Sequence, residues 1–487
     1  MDNRTTAPGG FRPAEPCAPR RRRRSRRVLP AALAGGVLAG AVLMMLPTEQ
    51  PQHAVVRPPV AGPQAQALAA LASGTPAAPS QLTALIAQQE RRVHTRPRDA
   101  RAWAVLGEAY AQRGSRTADP ADFPRAERAL GTSLKTGDAK NTEAYAGLTA
   151  LALARRDFPT AKRYGEQVLR AAPKQWTAYP PLIDAYTGLG DYKAVQTSLD
   201  KLLALRLDAA ARPAVMAHAS AVYRDRGWRE DAVAQLTDAA AAAGTPVAQA
   251  GYLAGLGQLA FERGDLPDAL RHFEASSRLV PGQGAVLAGT GRTLAALGRT
   301  REAFAAYRAA LAQQPSPRIA YELGELYEAR GMPREARAQY GQLRALVDKR
   351  MAAGVDEELL LGQYEADHAD ADEAVARLWA EWQRQPGTEV ADALGWALHR
   401  AGDDRQALGY ASAATDRQKG GGVLSALYVF HRGLIEQELE LDAPARRHLQ
   451  EALRINPYFS PLRVPLARAA LRELGGVPDE PPPDDAP

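Results

Sequence analysis

Residues 253–281 read LAGLGQLAFERGDLPDALRHFEASSRLVP, and the order of residue types in this stretch predicts its fold. Apolar residues such as Leu256 and Ala260 recur every three or four positions, which is the spacing of one face of a helix. Gly264 then interrupts the pattern, as glycine does where a helix ends with a positive φ. A second apolar stripe follows, and Pro281 blocks its continuation. The stretch is therefore predicted to form two helices joined by a tight turn.

The same pattern recurs ten times between residues 101 and 457. The units start near residues 103, 145, 179, 216, 253, 287, 320, 358, 391 and 429. One helical hairpin cannot bury its apolar stripe alone, so successive units must stack on one another. The sequence therefore predicts an all-α solenoid in which each unit contacts only its neighbours.

The first unit carries the clearest motif, Trp103-x-x-Leu106-Gly107-x-x-Tyr110. With the Ala and the closing Pro that follow it in other units, this motif resembles the tetratricopeptide repeat family, whose period is about 34 residues. The resemblance implies a right-handed solenoid of about ten helix-turn-helix units over residues 99–474. It also implies that the first helices line a concave groove that takes peptides. Independently of the family, a Gly beside the Leu allows a second helix to approach closely.

The N-terminal residues separate into a basic and an apolar segment. Residues 1–27 hold nine Arg against Asp2 and Glu15, a charge of +7, so the chain's total of +6 leaves −1 for the rest. Residues 28–46 are uncharged and long enough for one transmembrane helix. Because Arg favours the cytoplasmic side, we predict an uncleaved single-pass anchor with a cytoplasmic N-terminus and an extracytoplasmic solenoid. A cleaved signal peptide and a buried helix are the alternatives.

The remaining segments flank the repeats. Residues 47–79 are rich in Pro and Ala and are predicted to be a linker. Residues 80–98 are predicted to form a capping helix that begins after Ser80 as N-cap. Residues 475–487 are acidic and Pro-rich, a composition typical of a disordered tail.

No motif for catalysis, metal binding or a cofactor stands out. The single cysteine lies in the basic tail, and none of the eight His is paired with another at helical spacing. His431 and His448 lie in the two helices of one hairpin, but two ligands are too few for a structural metal site. Since the basic charge is confined to residues 1–27, nucleic-acid binding by the solenoid is not expected either. We therefore expect no enzyme, no cofactor and no metal.

The expected function is binding of a protein or peptide partner in the groove. Counting from each Leu-Gly pair places eight side chains on that face in the C-terminal half: Tyr321, Glu325, Glu328, Gln363, Asp392, Trp396, His399 and Phe430. Aromatic residues among polar ones are enriched at interfaces, although Trp396 and Phe430 can equally pack against a neighbouring helix. The acidic members favour a partner with a basic segment.

Two other functions fit the same layout. An anchor, a linker and a repeat array also resemble the membrane-anchored repeat subunits of cytochrome c maturation, so an accessory role in cofactor handling or transition-metal delivery is one alternative. A solenoid that regulates a separate enzyme is the other.

Overall fold

The computed structural model describes residues 61–138, 141–416 and 422–475. Within these ranges the chain forms 23 α-helices and no β-strand. Two helices precede the repeats, α1 (Pro63–Ala72) and α2 (Pro79–Thr95). The predicted tail 1–27 and anchor 28–46 lie outside the described residues, as do residues 476–487 of the predicted C-terminal tail. None of the helices in the described ranges combines the length and the apolar character needed to cross a membrane.

Ten helical hairpins follow, as the repeat pattern predicts, and α23 (Arg463–Glu473) ends the array. The hairpins pair α3 (Ala100–Thr117) with α4 (Asp122–Thr136), α5 (Thr142–Ala154) with α6 (Phe158–Ala171), α7 (Tyr179–Gly188) with α8 (Tyr192–Leu203), α9 (Arg212–Asp225) with α10 (Arg229–Ala241), α11 (Pro246–Glu262) with α12 (Leu266–Leu279), α13 (Gly284–Ala296) with α14 (Thr300–Gln313), α15 (Pro317–Ala329) with α16 (Pro333–Met351), α17 (Glu358–His368) with α18 (Ala371–Arg384), α19 (Thr388–Arg400) with α20 (Asp404–Thr415), and α21 (Ala426–Glu438) with α22 (Asp442–Ile455). A short 3₁₀ helix, Trp176–Ala178, precedes α7.

The glycine beside each repeat leucine has the predicted packing role. A Cβ atom on Gly324 would lie 2.3 Å from the ring of Tyr340 in the second helix of the same hairpin. On Gly257 a Cβ atom would lie 2.9 Å from the ring of Phe273. Only glycine therefore lets the two helices of these hairpins cross with a large aromatic side chain between them.

The predicted capping helix is present as α2, whereas the predicted linker and the predicted N-cap of that helix are wrong. Residues 63–72 of the predicted linker form α1, which contributes the buried side chains of Ala67 and Leu71 to the N-terminal core. The capping helix begins at Pro79, one residue before the predicted N-cap Ser80. Proline is favoured at the first helical position, and the side chain of Gln81 accepts a hydrogen bond from the main-chain N–H of Ala78. These two interactions define the start of α2.

Contacts between distant units contradict the expectation that each unit touches only its neighbours. The hairpin turns of the second to fifth units meet the loops that follow the seventh to tenth units. The main-chain and side-chain hydrogen bonds are Asp356 N to Arg155 O (2.8 Å), Thr388 N to Tyr192 Oη (3.2 Å), Arg229 Nη2 to Leu424 O (2.6 Å) and Asn456 Nδ2 to Phe261 O (2.8 Å). Because each partner lies five units further along, successive turns of the superhelix touch and enclose an inner space, here called the lumen.

Candidate functional site

The lumen contains a cavity of about 510 Å³ between the C-terminal units, which we call the central cavity. Its wall is formed mainly by the first helices of the hairpins, from α11 to α21, as the groove prediction requires. The remaining wall is the segment Asn456–Arg468, which leaves the last hairpin and enters α23. A cavity of this size with a mixed aromatic and polar lining is typical of ligand sites.

Five of the eight predicted site residues line the central cavity, and the other three do not. The five lining residues are Tyr321, Glu325, Gln363, Asp392 and Trp396. The three that lie elsewhere are Glu328, His399 and Phe430. Whether the five bind a partner stays a prediction.

The expectation that Phe430 is exposed in the groove is wrong. Its side chain is fully buried, with its ring centroid 5.5 Å from that of Phe459 and 6.2 Å from that of Trp396. Phe459 belongs to the segment after the last repeat, so this segment covers the part of the first-helix face that carries Phe430. Trp396 is also buried, but it borders the central cavity. Phe430 is therefore a core residue.

Glu328 and His399 have partners in the array instead. Glu328 accepts a hydrogen bond from Tyr340 Oη at 2.8 Å. His399 Nδ1 lies 2.5 Å from the carboxylate of Asp404, at the start of the second helix of its hairpin. Both side chains therefore link the two helices of one hairpin.

Arg463 of α23 neutralises two of the carboxylates in the cavity wall. Its guanidinium donates to Glu325 at 2.7 Å and also pairs with Asp367. Burial alone would lower the pKa of Arg463, but these two carboxylates raise it well above its ordinary value, so the side chain is charged. Trp396 Nε1 donates to the same Asp367 at 2.9 Å. Glu325 therefore already has a cationic partner within the chain and is not free to bind a basic segment of another protein.

Asp392 also has a partner within the chain, a histidine. His431 Nδ1 lies 3.0 Å from the Asp392 carboxylate, and both side chains are buried. Trp396 stacks on the imidazole with ring centroids 4.2 Å apart. His448, the other histidine of that hairpin, is 2.5 Å from Glu436, so the two histidines have separate carboxylate partners.

Another ion pair in the wall is half-buried. Arg292 forms a bidentate pair with Glu322, from Nε at 3.3 Å and from Nη2 at 3.0 Å, and donates to Gln258 at 3.0 Å. Tyr307 Oη also donates to Glu322, at 3.1 Å. Burial would lower the pKa of Arg292, but Glu322 outweighs this effect and raises it. The arrangement holds α13, α14 and α15 together.

One cluster has the residue types of a cation site. Ligand atoms of Glu325, Asp367 and His368 lie within 4.8 Å of one another. The guanidinium of Arg463 already contacts both carboxylates, so it supplies the positive charge that a metal ion would bring. A metal ion could bind there only after Arg463 had moved, and we therefore assign the cluster to an internal ion pair.

The repeat pattern does not predict a role for Arg463 or for the segment around it, because the last repeat unit ends at Pro457. A signal was present: Val464, Ala467 and Leu471 recur at helical spacing after that proline. Arg463 directly precedes this apolar stripe. Because charged residues are almost never fully buried unless paired, an arginine at this position indicates a carboxylate partner.

Glu108 gives the array a pH-dependent stability. This half-buried residue of α3 forms no hydrogen bond or ion pair with the described residues, and burial raises its pKa from 4.5 to about 7. Between these values the folded protein keeps a proton that the unfolded chain has lost, so stability falls as the pH rises. We expect Glu108→Gln to raise the free energy of unfolding by about 1 kcal/mol at a pH of about 8, with little effect at a pH of about 5.

Urea denaturation at the two pH values measures this difference. Glu438→Gln is the matched control, since Glu438 is exposed and has no ion pair within the described ranges. An equal effect of Glu108→Gln at both pH values would contradict the prediction.

Comparisons with known proteins find distant structural similarity. No family model and no curated protein matches the chain. Among solved structures, it is similar to human IFIT1 determined as a dimer with PPP-AAAA, at 16% identity over 65% of this chain and 72% of that chain, with a TM-score of 0.44. It is also similar to a tetratricopeptide repeat protein from Parabacteroides merdae (16% identity, 54% of this chain, 99% of that chain, TM-score 0.33) and to yeast Tom70 (12%, 76%, 96% and 0.33). These values are too low to indicate function.

Proposed function

We propose that this protein is a non-catalytic scaffold that holds a segment of a partner protein in the central cavity. The observation that carries the proposal is the central cavity itself, which has a volume of about 510 Å³ and is lined by aromatic and polar side chains of the first helices. A pocket of this size with such a lining is typical of binding sites. Its wall is the face of the first helices on which the repeat pattern predicts a peptide groove.

The rest of the cavity supports binding over catalysis. Its carboxylates are held by Arg292, by Arg463 and by a hydrogen bond with His431, so they are engaged in joining helices. Tyr321 and Trp396 add aromatic surface, which is enriched where proteins meet. The proposal that residues 28–46 anchor the chain, with the repeats outside the cytoplasm, rests on the sequence alone.

Site-specific photo-crosslinking tests the scaffold function. A photoreactive amino acid replaces Ala329, which lines the cavity, or Ala309, which is exposed on α14 and does not. We expect a crosslinked polypeptide in cell membranes from the Ala329 variant and little from the Ala309 variant. Retention of the product in membranes after alkaline carbonate extraction tests the anchor in the same experiment. Equal crosslinking at both positions, or none at either, would contradict partner binding in the cavity.

The identity of the crosslinked polypeptide also separates the alternatives. A component of cytochrome maturation, a metal transporter or a soluble enzyme would each point to one of the other roles considered for this layout.

A further inference from the structure

The acidic side chains that line the central cavity all have partners within the chain, but some of the arginines do not. Every carboxylate in the cavity wall has a partner within the chain. Four pairs involve arginine: Glu262 with Arg224, Glu322 with Arg292, Glu325 with Arg463, and Asp367 with Arg463. Asp392 shares a hydrogen bond with His431. A basic ligand would have to displace one of these partners.

Three arginines in the same wall remain unpaired. Arg318, Arg330 and Arg468 are exposed, line the cavity, and have no ion pair or side-chain hydrogen bond with any described residue. Arg318 lies in the first turn of α15, where the helix dipole is unfavourable for a cation. No acidic side chain occupies that turn to offset the dipole. An anion from outside the chain would remove this unfavourable interaction.

The spacing of these arginines sets the size of the anion. Arg318 and Arg330 stand at opposite ends of α15, about 18 Å apart at a rise of about 1.5 Å per residue. An extended polypeptide covers that distance in about five residues.

We propose that the segment held in the central cavity is an acidic, extended polypeptide. Its carboxylates pair with Arg318, Arg330 and Arg468. This inference rests on the proposed scaffold function and specifies its partner. It reverses the charge expected from the sequence, because Glu325 already pairs with Arg463 and Asp392 already shares a hydrogen bond with His431. A nucleic acid fits less well, since it carries a phosphate at every nucleotide, whereas only three unpaired arginines of the described residues line the wall.

Fluorescence anisotropy with full-length protein in detergent tests the proposal. The probes are a labelled peptide of about ten residues in which Glu alternates with Ser, matched peptides with Gln or Lys in place of Glu, and single-stranded RNA of similar length. We expect the Glu peptide to bind at least about tenfold more tightly than the Gln and Lys peptides. Raising the salt concentration should weaken this binding, because screening acts on exposed charges.

Charge-reversal variants locate the binding. We expect the double variant Arg318→Glu/Arg330→Glu, and the single variant Arg468→Glu, to bind the Glu peptide at least about tenfold and about threefold more weakly. Arg278→Glu is the matched control, because Arg278 is exposed on α12, unpaired within the described ranges and remote from the cavity wall. Thermal unfolding of each variant verifies that it is folded.

The outcomes separate the two proposals. The Lys or Gln peptide could instead bind more tightly than the Glu peptide, and mutation of Trp396 could weaken that binding. This result would contradict an acidic partner but would still support the scaffold function. Tighter binding of RNA than of the Glu peptide would also overturn it. Binding of the Glu peptide that Arg278→Glu weakens as much as the cavity variants would place the contact elsewhere. If no peptide binds, the proposal of an acidic partner is wrong. Crosslinking at Ala329 then tests the scaffold function separately.

Discussion

Arg463→Ala is expected to lower the free energy of unfolding by about 3–5 kcal/mol, the largest single effect we foresee. The substitution leaves the carboxylates of Glu325 and Asp367 close together in a buried wall with no cation between them. It also frees the N-terminal end of α23, since Arg463 joins that helix to α15 and α17. Urea denaturation followed by circular dichroism measures the loss.

Two controls isolate the ion pairs. Arg468→Ala removes an exposed, unpaired arginine from the same helix and should change stability by no more than about 0.5 kcal/mol. Adding Glu325→Gln and Asp367→Asn to Arg463→Met removes the buried charges together and should recover most of the loss. If Arg463→Ala costs no more than Arg468→Ala, the guanidinium does not hold the C-terminal segment in the lumen.

The contact between distant units has a comparably clear test at Gly190. This residue has a φ of +68°, and a Cβ atom there would lie 2.4 Å from the carbonyl oxygen of Pro386. Gly298 has a similar φ of +76° in an equivalent turn, but a Cβ atom there meets nothing within 4 Å. We expect Gly298→Ala to cost about 1 kcal/mol for its backbone conformation alone, and Gly190→Ala to cost about 3 kcal/mol because the Pro386 main chain must also move.

The difference in the free energy of unfolding between these two variants measures how much the contact between distant units contributes to stability. Hydrogen exchange of the Thr388 amide reports on the same contact, since this N–H donates to Tyr192 Oη. We expect faster exchange in Gly190→Ala and no change in Gly298→Ala. Equal losses of stability and unchanged exchange in both variants would show that the two turns do not touch in solution.

The repeat pattern predicts helices well because it is local. Gly264, Gly298 and Gly331 occupy the turn slot and have the positive φ that the pattern predicts. In the second and tenth units, Arg156 and Glu440 adopt a positive φ at this slot without being glycine. The stacking of flanking hairpins therefore enforces the turn even where the local signal is missing.

The candidate site was only partly predictable. The repeat phase correctly placed Tyr321, Gln363 and Trp396 on the inner face, because that face follows from helical spacing alone. It did not show that the inner face meets another part of the chain. Phe459 covers Phe430, and Arg463 reaches Glu325 across 138 residues of sequence.

The repeat pattern alone predicts the ten hairpins, the approximate starts of their first helices and the side of each first helix that faces inward. These depend on spacings of three and four residues and on small residues at helix crossings, which neighbouring residues specify. The contacts between units five repeats apart and the pairing of the inner acidic residues within the chain could not be predicted from that pattern. Both outcomes depend on small rotations between successive units, which add up along the array and bring together residues that no repeat-length pattern relates.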